Sequence, residues 1–71
     1  MAYEYLEFDV VFQTMTDKAA LLYIPDLDSD SFWVPLSQIE EQSVVELGLV
    51  SRDDELSVEI TSWWLDKQGY V

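Results

Sequence analysis

Apolar and polar side chains alternate along the first part of the chain, from Tyr3 to Gln13. A period of two places successive side chains on opposite faces of a strand, so this pattern predicts a β-strand with one buried face. The inward set is Leu6, Phe8, Val10 and Phe12, and the outward set is Tyr3, Tyr5, Glu7, Asp9 and Val11. The fold is therefore expected to be built around a sheet.

Four further strands are predicted where apolar stretches are separated by turn residues. They cover Ala19 to Ile24, Ser31 to Leu36, Val44 to Leu49 and Glu55 to Ile60. The first of these is almost continuously apolar, which is typical of a central strand. Ser37 and Glu40 have the spacing of a capping box and predict a short helical turn through Gln42. Gly48 suggests a bulge or a close backbone approach.

A last helix is predicted from Trp63 to Gln68, because Thr61 or Ser62 can cap its start and Gly69 can end it in a left-handed conformation. Five strands are thus followed by one helix. The order predicts a single α+β domain over residues 1–71, mainly β, with a small twisted antiparallel sheet or a partly open barrel.

The charge of the chain is strongly one-sided, with 15 Asp and Glu against 3 Lys and Arg and a formal net charge of −12. A small domain usually stays soluble with a net charge of about 2 to 8. The excess indicates either a face shaped for a basic partner or a heavily solvated surface. Aliphatic and aromatic residues make up 49% of the chain, which indicates a folded protein and not a disordered acidic tail.

The missing residue types exclude several classes of function. Without His or Cys the chain has no imidazole base, thiol nucleophile, disulfide or preferred zinc ligand, so we expect no enzyme, no cofactor and no metal site. No apolar run approaches the ~20 residues that span a bilayer. The first residues carry acids where a signal peptide carries bases, so we expect a cytoplasmic protein without membrane contact.

Three aspartates, Asp26, Asp28 and Asp30, have the spacing that opens a calcium loop. The remainder of that pattern fails, because Ser31 stands where the loop requires Gly and Ser37 where it requires a bidentate Glu. We therefore interpret this segment as a solvated connection.

The charge load is comparable with that of nucleic acid. A chain of this length has a diameter of roughly 29 Å, and duplex DNA of that length carries about 17 phosphate charges. The basic surface of a nucleic-acid-binding protein is therefore a candidate partner. Direct binding of nucleic acid through Tyr3, Tyr5 and Trp33 is disfavoured by the sign of the charge. The candidate contacts are Glu7, Asp9, Asp26, Asp28, Asp30, Asp53, Asp54, Glu55 and Glu59.

Trp63 and Trp64 complete the set of candidate contacts. Neighbouring residues on a helix project about 100° apart, so both indoles cannot face one core. One of them is expected to remain partly exposed, where it could act as an aromatic anchor for a partner. The alternative is a helix wedged between the sheet and a loop that together cover both indoles.

Three segments carry a resemblance to known proteins: Thr16 to Ala19, Trp33 to Ile39 and Ile60 to Leu65. Together they resemble small acidic proteins encoded by bacteriophages and prophages. Those proteins share a Lys-Ala strand start, a Trp-hydrophobic-Pro-x-Ser-Gln-Ile strand and a Trp-Leu helix near the end. The resemblance implies a phage or mobile-element origin and a bacterial host, and it carries over no catalytic residue.

Two functions remain open at this point. The first is a non-enzymatic, DNA-mimic-like inhibitor that presents its acids to a nucleic-acid-binding host defence protein, such as a CRISPR effector. The second is a small phage structural or assembly module whose charge only maintains solubility. The oligomeric state stays open between a monomer and a homodimer, and a homodimer would be compatible with the second function.

Overall fold

The protein forms one antiparallel sheet of four strands with two helices, according to a computed structural model that describes residues 4–27 and 30–70. The strands are β1 (Tyr5–Met15), β2 (Ala19–Tyr23), β3 (Phe32–Pro35) and β4 (Glu55–Thr61), in the spatial order β3-β2-β1-β4. The helices are α1 (Glu41–Leu47) and α2 (Ser62–Gln68), and a short 3-10 helix covers Leu36–Gln38. The α+β class is confirmed, but the fifth strand and the partly open barrel were wrong, because the sheet is open and has four strands.

The predicted strand from Val44 to Leu49 is wrong, since most of this segment belongs to α1. The side chain of Glu40 accepts a hydrogen bond from the Ser43 N–H (3.1 Å) and so caps the helix. The predicted capping residue was Ser37, but the residue that caps α1 is Glu40, three residues later, and Ser37 lies in the short 3-10 helix. Gly48 ends the helix with an ordinary right-handed backbone and does not form a bulge.

The position of α1 depends on bonds to the edge of β4. The Glu40 N–H donates to the Glu59 carbonyl (2.8 Å), and the Glu59 N–H donates to the Ser43 hydroxyl (3.0 Å). The segment 39–43 therefore covers the outer edge of β4, which would otherwise offer free backbone groups to another chain. Leu47 at the end of the helix enters the core.

β1 ends two residues later than the alternation predicts, at Met15 and not at Gln13. The residues from Thr14 onward were expected to lie outside the strand, but the pairing with β2 continues to Met15 after a register shift between Phe12 and Thr14. An extra residue of this kind is a β-bulge, which interrupts the alternation without ending the strand. After it, Met15 packs against the core again.

The two faces of the sheet differ. The helices lie on the face that carries the predicted inward set of β1, and Val10 and Phe12 there are buried. Leu6 and Phe8 are partly buried against the same cluster. The core consists of Val10, Phe12, Ala20, Leu22, Ile24, Val34, Ile39, Leu47, Val58, Ile60, Trp64 and Leu65. We call the opposite side the open face, because neither helix packs on it.

The last helix is confirmed. Thr61 caps it by accepting the Trp64 N–H (3.4 Å), and Gly69 ends it with a left-handed backbone at φ 81°. Trp64 is buried and its ring lies 6.4 Å from that of Phe32, whereas Trp63 is exposed. In the part of the chain that the structure describes, no helix is long and apolar enough to cross a membrane.

Candidate protein-binding face

Four carboxylates lie together on the open face. Glu7 and Asp9 belong to β1, and Glu55 and Glu59 belong to β4. The register puts Glu7 directly opposite Glu59, and it puts Asp9 opposite Ser57, whose hydroxyl donates to Asp9 Oδ1 (2.9 Å). We call these four carboxylates the acidic strip.

The other half of the open face is apolar. It is formed by the outward side chains of β2 and β3, namely Ala19, Leu21, Tyr23, Trp33 and Pro35. Leu21 pairs with Trp33, whose side chain is 48% exposed. We call this set the apolar strip. In soluble proteins an apolar patch on an otherwise charged surface often marks an interaction site.

The two strips meet at Val11. This residue pairs with Tyr23 of β2 on one side and with Glu55 of β4 on the other. An open groove of about 310 Å³ lies on the acidic side of this boundary. Its lining includes Asp9, Val11, Pro25, Glu55 and Ser57. The groove thus combines the carboxylates of Asp9 and Glu55 with the apolar side chains of Val11 and Pro25.

The basic side chains lie outside the acidic strip. Lys18 is in the turn between β1 and β2, and Arg52 is in the turn before β4. Lys67 is on α2, with its Nζ 5.7 Å from the centre of the Trp63 ring. The facing carboxylates of Glu7 and Glu59 therefore have no cation from their own strands between them. Like charges directly opposite in a sheet are destabilising, so a basic group from outside would relieve their repulsion.

The turn before β4 extends the acidic surface. The Phe12 N–H donates to the Asp54 carbonyl (2.9 Å), and the Asp53 N–H donates to the Phe12 carbonyl (2.7 Å). Asp53 has a positive φ of 71°, and the Asp54 side chain accepts the Ser51 N–H (2.9 Å). Both aspartates are exposed next to Glu55, but Asp54 also shapes the turn.

The remaining predicted contacts are more scattered. Asp26 is exposed in the turn after β2, one residue from Pro25 of the groove, and Asp30 is exposed just before β3. Asp28 lies outside the described residues. Trp63 is on α2, which packs on the other face of the sheet, and Trp64 is part of the core. The structure therefore does not bring either tryptophan to the acidic strip.

The apolar strip was not predicted as a binding surface. Trp33 was considered only as a stacking platform for nucleic-acid bases, and β2 was interpreted as a central strand. A central strand need not be covered on both faces. The available signal was that β2 is apolar at all five positions, Ala19 to Tyr23, although only alternate residues are fully buried.

Among the described residues no group of three or more acidic side chains has the geometry to hold a metal ion. Because Asp28 lies outside the described residues, the interpretation of the segment from Asp26 to Asp30 as a solvated connection stays a prediction. No known protein family, curated protein or solved structure matches this chain.

Proposed function

We propose that the protein is a non-enzymatic interaction protein that binds a basic, nucleic-acid-binding surface of another protein and competes with nucleic acid for it. The single observation that supports this most strongly is the acidic strip, which collects four carboxylates on one uncovered sheet face. The resemblance to phage proteins suggests a host defence protein as the target class.

The charge spacing on the strip supports mimicry of nucleic acid. The register positions from Glu7 to Val11, opposite Glu59 and Glu55, span about 14 Å at ~3.4 Å per residue. One strand of duplex DNA carries about four phosphates over that distance, at one per ~3.4 Å. The strip thus matches the charge density of one DNA strand, and a surface that binds such a strand can accept it.

Affinity capture tests the proposal. The tagged protein is incubated with a nuclease-treated bacterial lysate, and the bound proteins are identified with and without added duplex DNA or RNA. We expect nucleic-acid-binding proteins to be enriched and to be displaced by the added nucleic acid. Recovery of no such protein, or recovery that added nucleic acid leaves unchanged, would contradict the proposal.

Two charge variants separate the strip from net charge. The acidic-strip variant carries Glu7→Gln, Asp9→Asn, Glu55→Gln and Glu59→Gln. The matched variant carries Asp17→Asn, Glu41→Gln, Glu46→Gln and Asp66→Asn, all at exposed positions away from the open face. Both lose four charges, so only the acidic-strip variant is expected to lose the captured proteins.

A second candidate function is assembly with another copy, and the exposed apolar strip favours it. The salt dependence of association distinguishes self-assembly from binding to a basic partner. Two copies with a net charge of −12 each repel one another, so salt promotes self-association, whereas it weakens binding to a basic partner. Sedimentation equilibrium at low and high salt measures this directly. A dimer at tens of micromolar whose stability rises with salt would support assembly.

A further inference from the structure

We propose that the open face docks an amphipathic helix of the partner, with the apolar side of that helix on the apolar strip and an adjoining row of Lys or Arg over the acidic strip. This inference rests on the proposed function and specifies the partner's binding element. It follows from the fact that the two strips are neighbours, joined at Val11.

The dimensions fit one helix. The apolar strip spans two strands, and adjacent strands are about 4.8 Å apart, so the strip is roughly 10 Å wide. A helix with its side chains is about 10–12 Å in diameter. An amphipathic helix has an apolar stripe about 100° wide with polar residues beside it.

β2 pairs with β1 from Val11 to Met15 and β4 pairs with β1 from Tyr5 to Val11, so the two strips are offset along the strands and meet only at Val11. A helix of about 18 residues is about 27 Å long, and the distance along β1 from Met15 to Glu7 is also about 27 Å at ~3.4 Å per residue. Lying along β2, such a helix would place its apolar side on the apolar strip and the basic flank of its far end next to the acidic strip.

Trp33 is the expected anchor of the apolar contact. It is 48% exposed and pairs with Leu21, which is partly buried, so a partner side chain placed there would cover two neighbouring apolar groups. Tryptophan is enriched among the residues that dominate binding energy. Trp33 belongs to β3, on the side of the open face away from the acidic strip.

The groove beside Val11 suits one long basic side chain of that helix. Its volume of about 310 Å³ leaves room for the aliphatic part of Lys or Arg against Val11 and Pro25. The charged end would then lie between Asp9 and Glu55, which line the same groove. Lys and Arg side chains commonly bury their stems on apolar surface while the charged group pairs with acids.

Addition of a partner strand at the edge of β3 is less compatible with the structure. The Leu36 N–H bonds to the Lys18 carbonyl, so by alternation the backbone groups of Trp33 and Pro35 point away from β2. Proline has no N–H to donate, which blunts this edge. The side-chain surface of the open face, and not its edge, is therefore the docking site.

Synthetic peptides test the inference. The probe is a peptide of about 18 residues with Leu and Ile at helical spacing and Lys and Arg elsewhere. The controls are a scrambled peptide of the same composition and an all-polar peptide of equal charge. Calorimetric titration is expected to give affinity for the amphipathic peptide about tenfold above that for either control, since only it covers the apolar strip.

Variants locate the contact. Trp33→Ala is expected to weaken the amphipathic peptide about fivefold or more, the effect of losing a strong interface residue. Trp63→Ala is the matched control, because Trp63 is 52% exposed but lies on α2, and it should leave the affinity unchanged. If Trp33→Ala does not fold, as judged by circular dichroism, Trp33→Thr retains a strand-forming residue and serves in its place.

The outcomes separate this inference from the proposed function. If all three peptides bind equally and only the acidic-strip variant weakens them, the docking of an amphipathic helix is overturned and the proposed function stands. If neither Trp33→Ala nor the acidic-strip variant changes binding, both are overturned. Self-association of the protein that Trp33→Ala abolishes would assign the apolar strip to a second copy and also overturn the inference.

Discussion

Trp63 and Trp64 are adjacent in the chain but have opposite environments. Trp64 is 9% exposed and forms an aromatic cluster with Phe32 and Tyr70, whose rings lie 4.5 Å apart. Trp63 is 52% exposed. The sequence alone predicted that one of the pair would be exposed, because of their angular separation on a helix. It could not predict which one, since that depends on the position of β3 beneath the helix.

This difference predicts unequal effects on stability. Removing a buried aromatic side chain costs about 3–5 kcal/mol, which is a large part of the roughly 4–10 kcal/mol expected for a domain of this length. Trp64→Ala is therefore expected to be partly unfolded at 25 °C, whereas Trp63→Ala should stay within about 0.5 kcal/mol of the parent. Urea unfolding followed by circular dichroism measures both, and equal midpoints would contradict the assignment.

Glu7 and Glu59 provide a second prediction at this scale. Because they face each other across β1 and β4, each single change to Gln is expected to stabilise the protein by about 0.5 kcal/mol at low salt. The double change should give less than the sum of the two, since the repulsion can be removed only once. Additive effects in this double-mutant cycle, measured by urea unfolding, would show that the two carboxylates do not interact.

At the scale of elements, β1 and α2 were predictable and α1 was not. β1 has a clear period of two, and α2 has a Thr cap and a Gly end, so their patterns are local. In α1, Val44 and Val45 favour a strand locally. The helix forms because Glu40 and Ser43 bond to Glu59, which is 19 and 16 residues away from them in the chain. Such tertiary bonds leave no local signal.

The candidate site was also predictable only in part: its acidic residues could be identified from the sequence, but their arrangement in space could not. Along β1 and β4 the acidic residues alternate with apolar ones. This alternation predicts that Glu7 and Asp9 share one face of β1, and that Glu55 and Glu59 share one face of β4. Their collection into one strip depends on the direct pairing of β1 with β4, which are separated by some 40 residues of chain. The apolar strip escaped prediction because apolar residues were assigned to the core.

The bond from Glu59 to Ser43 predicts a specific weakness. Ser43→Ala removes the acceptor of a part-buried N–H at the edge of β4, and such a loss costs about 1–3 kcal/mol. Ser51→Ala is the control, because within the described part of the chain Ser51 forms its hydrogen bonds through its backbone and not through its hydroxyl. Thermal unfolding of both variants tests this, and equal midpoints would mean that the hydroxyl does not support the edge.

At the scale of the whole molecule, charge works against the fold. The radius of gyration is 11.0 Å, so a net charge of −12 is confined to a small volume and repels itself. Raising salt from 0.1 to 1 M shortens the screening length from about 10 to about 3 Å. The melting temperature is therefore expected to rise with NaCl, and to rise less in the acidic-strip variant. A melting temperature that salt leaves unchanged would contradict this.

The acidic strip lies on the open face of the sheet, and its proposed role is to bind a basic surface. The most direct test is the association rate of a captured partner with the parent protein, the acidic-strip variant and the matched variant, measured between 0.1 and 1 M NaCl. Electrostatic steering acts mainly on this rate. Salt and the acidic-strip changes are both expected to slow association strongly, and the matched changes are expected to slow it much less. Equal slowing by the two variants, or a rate that does not depend on salt, would contradict it.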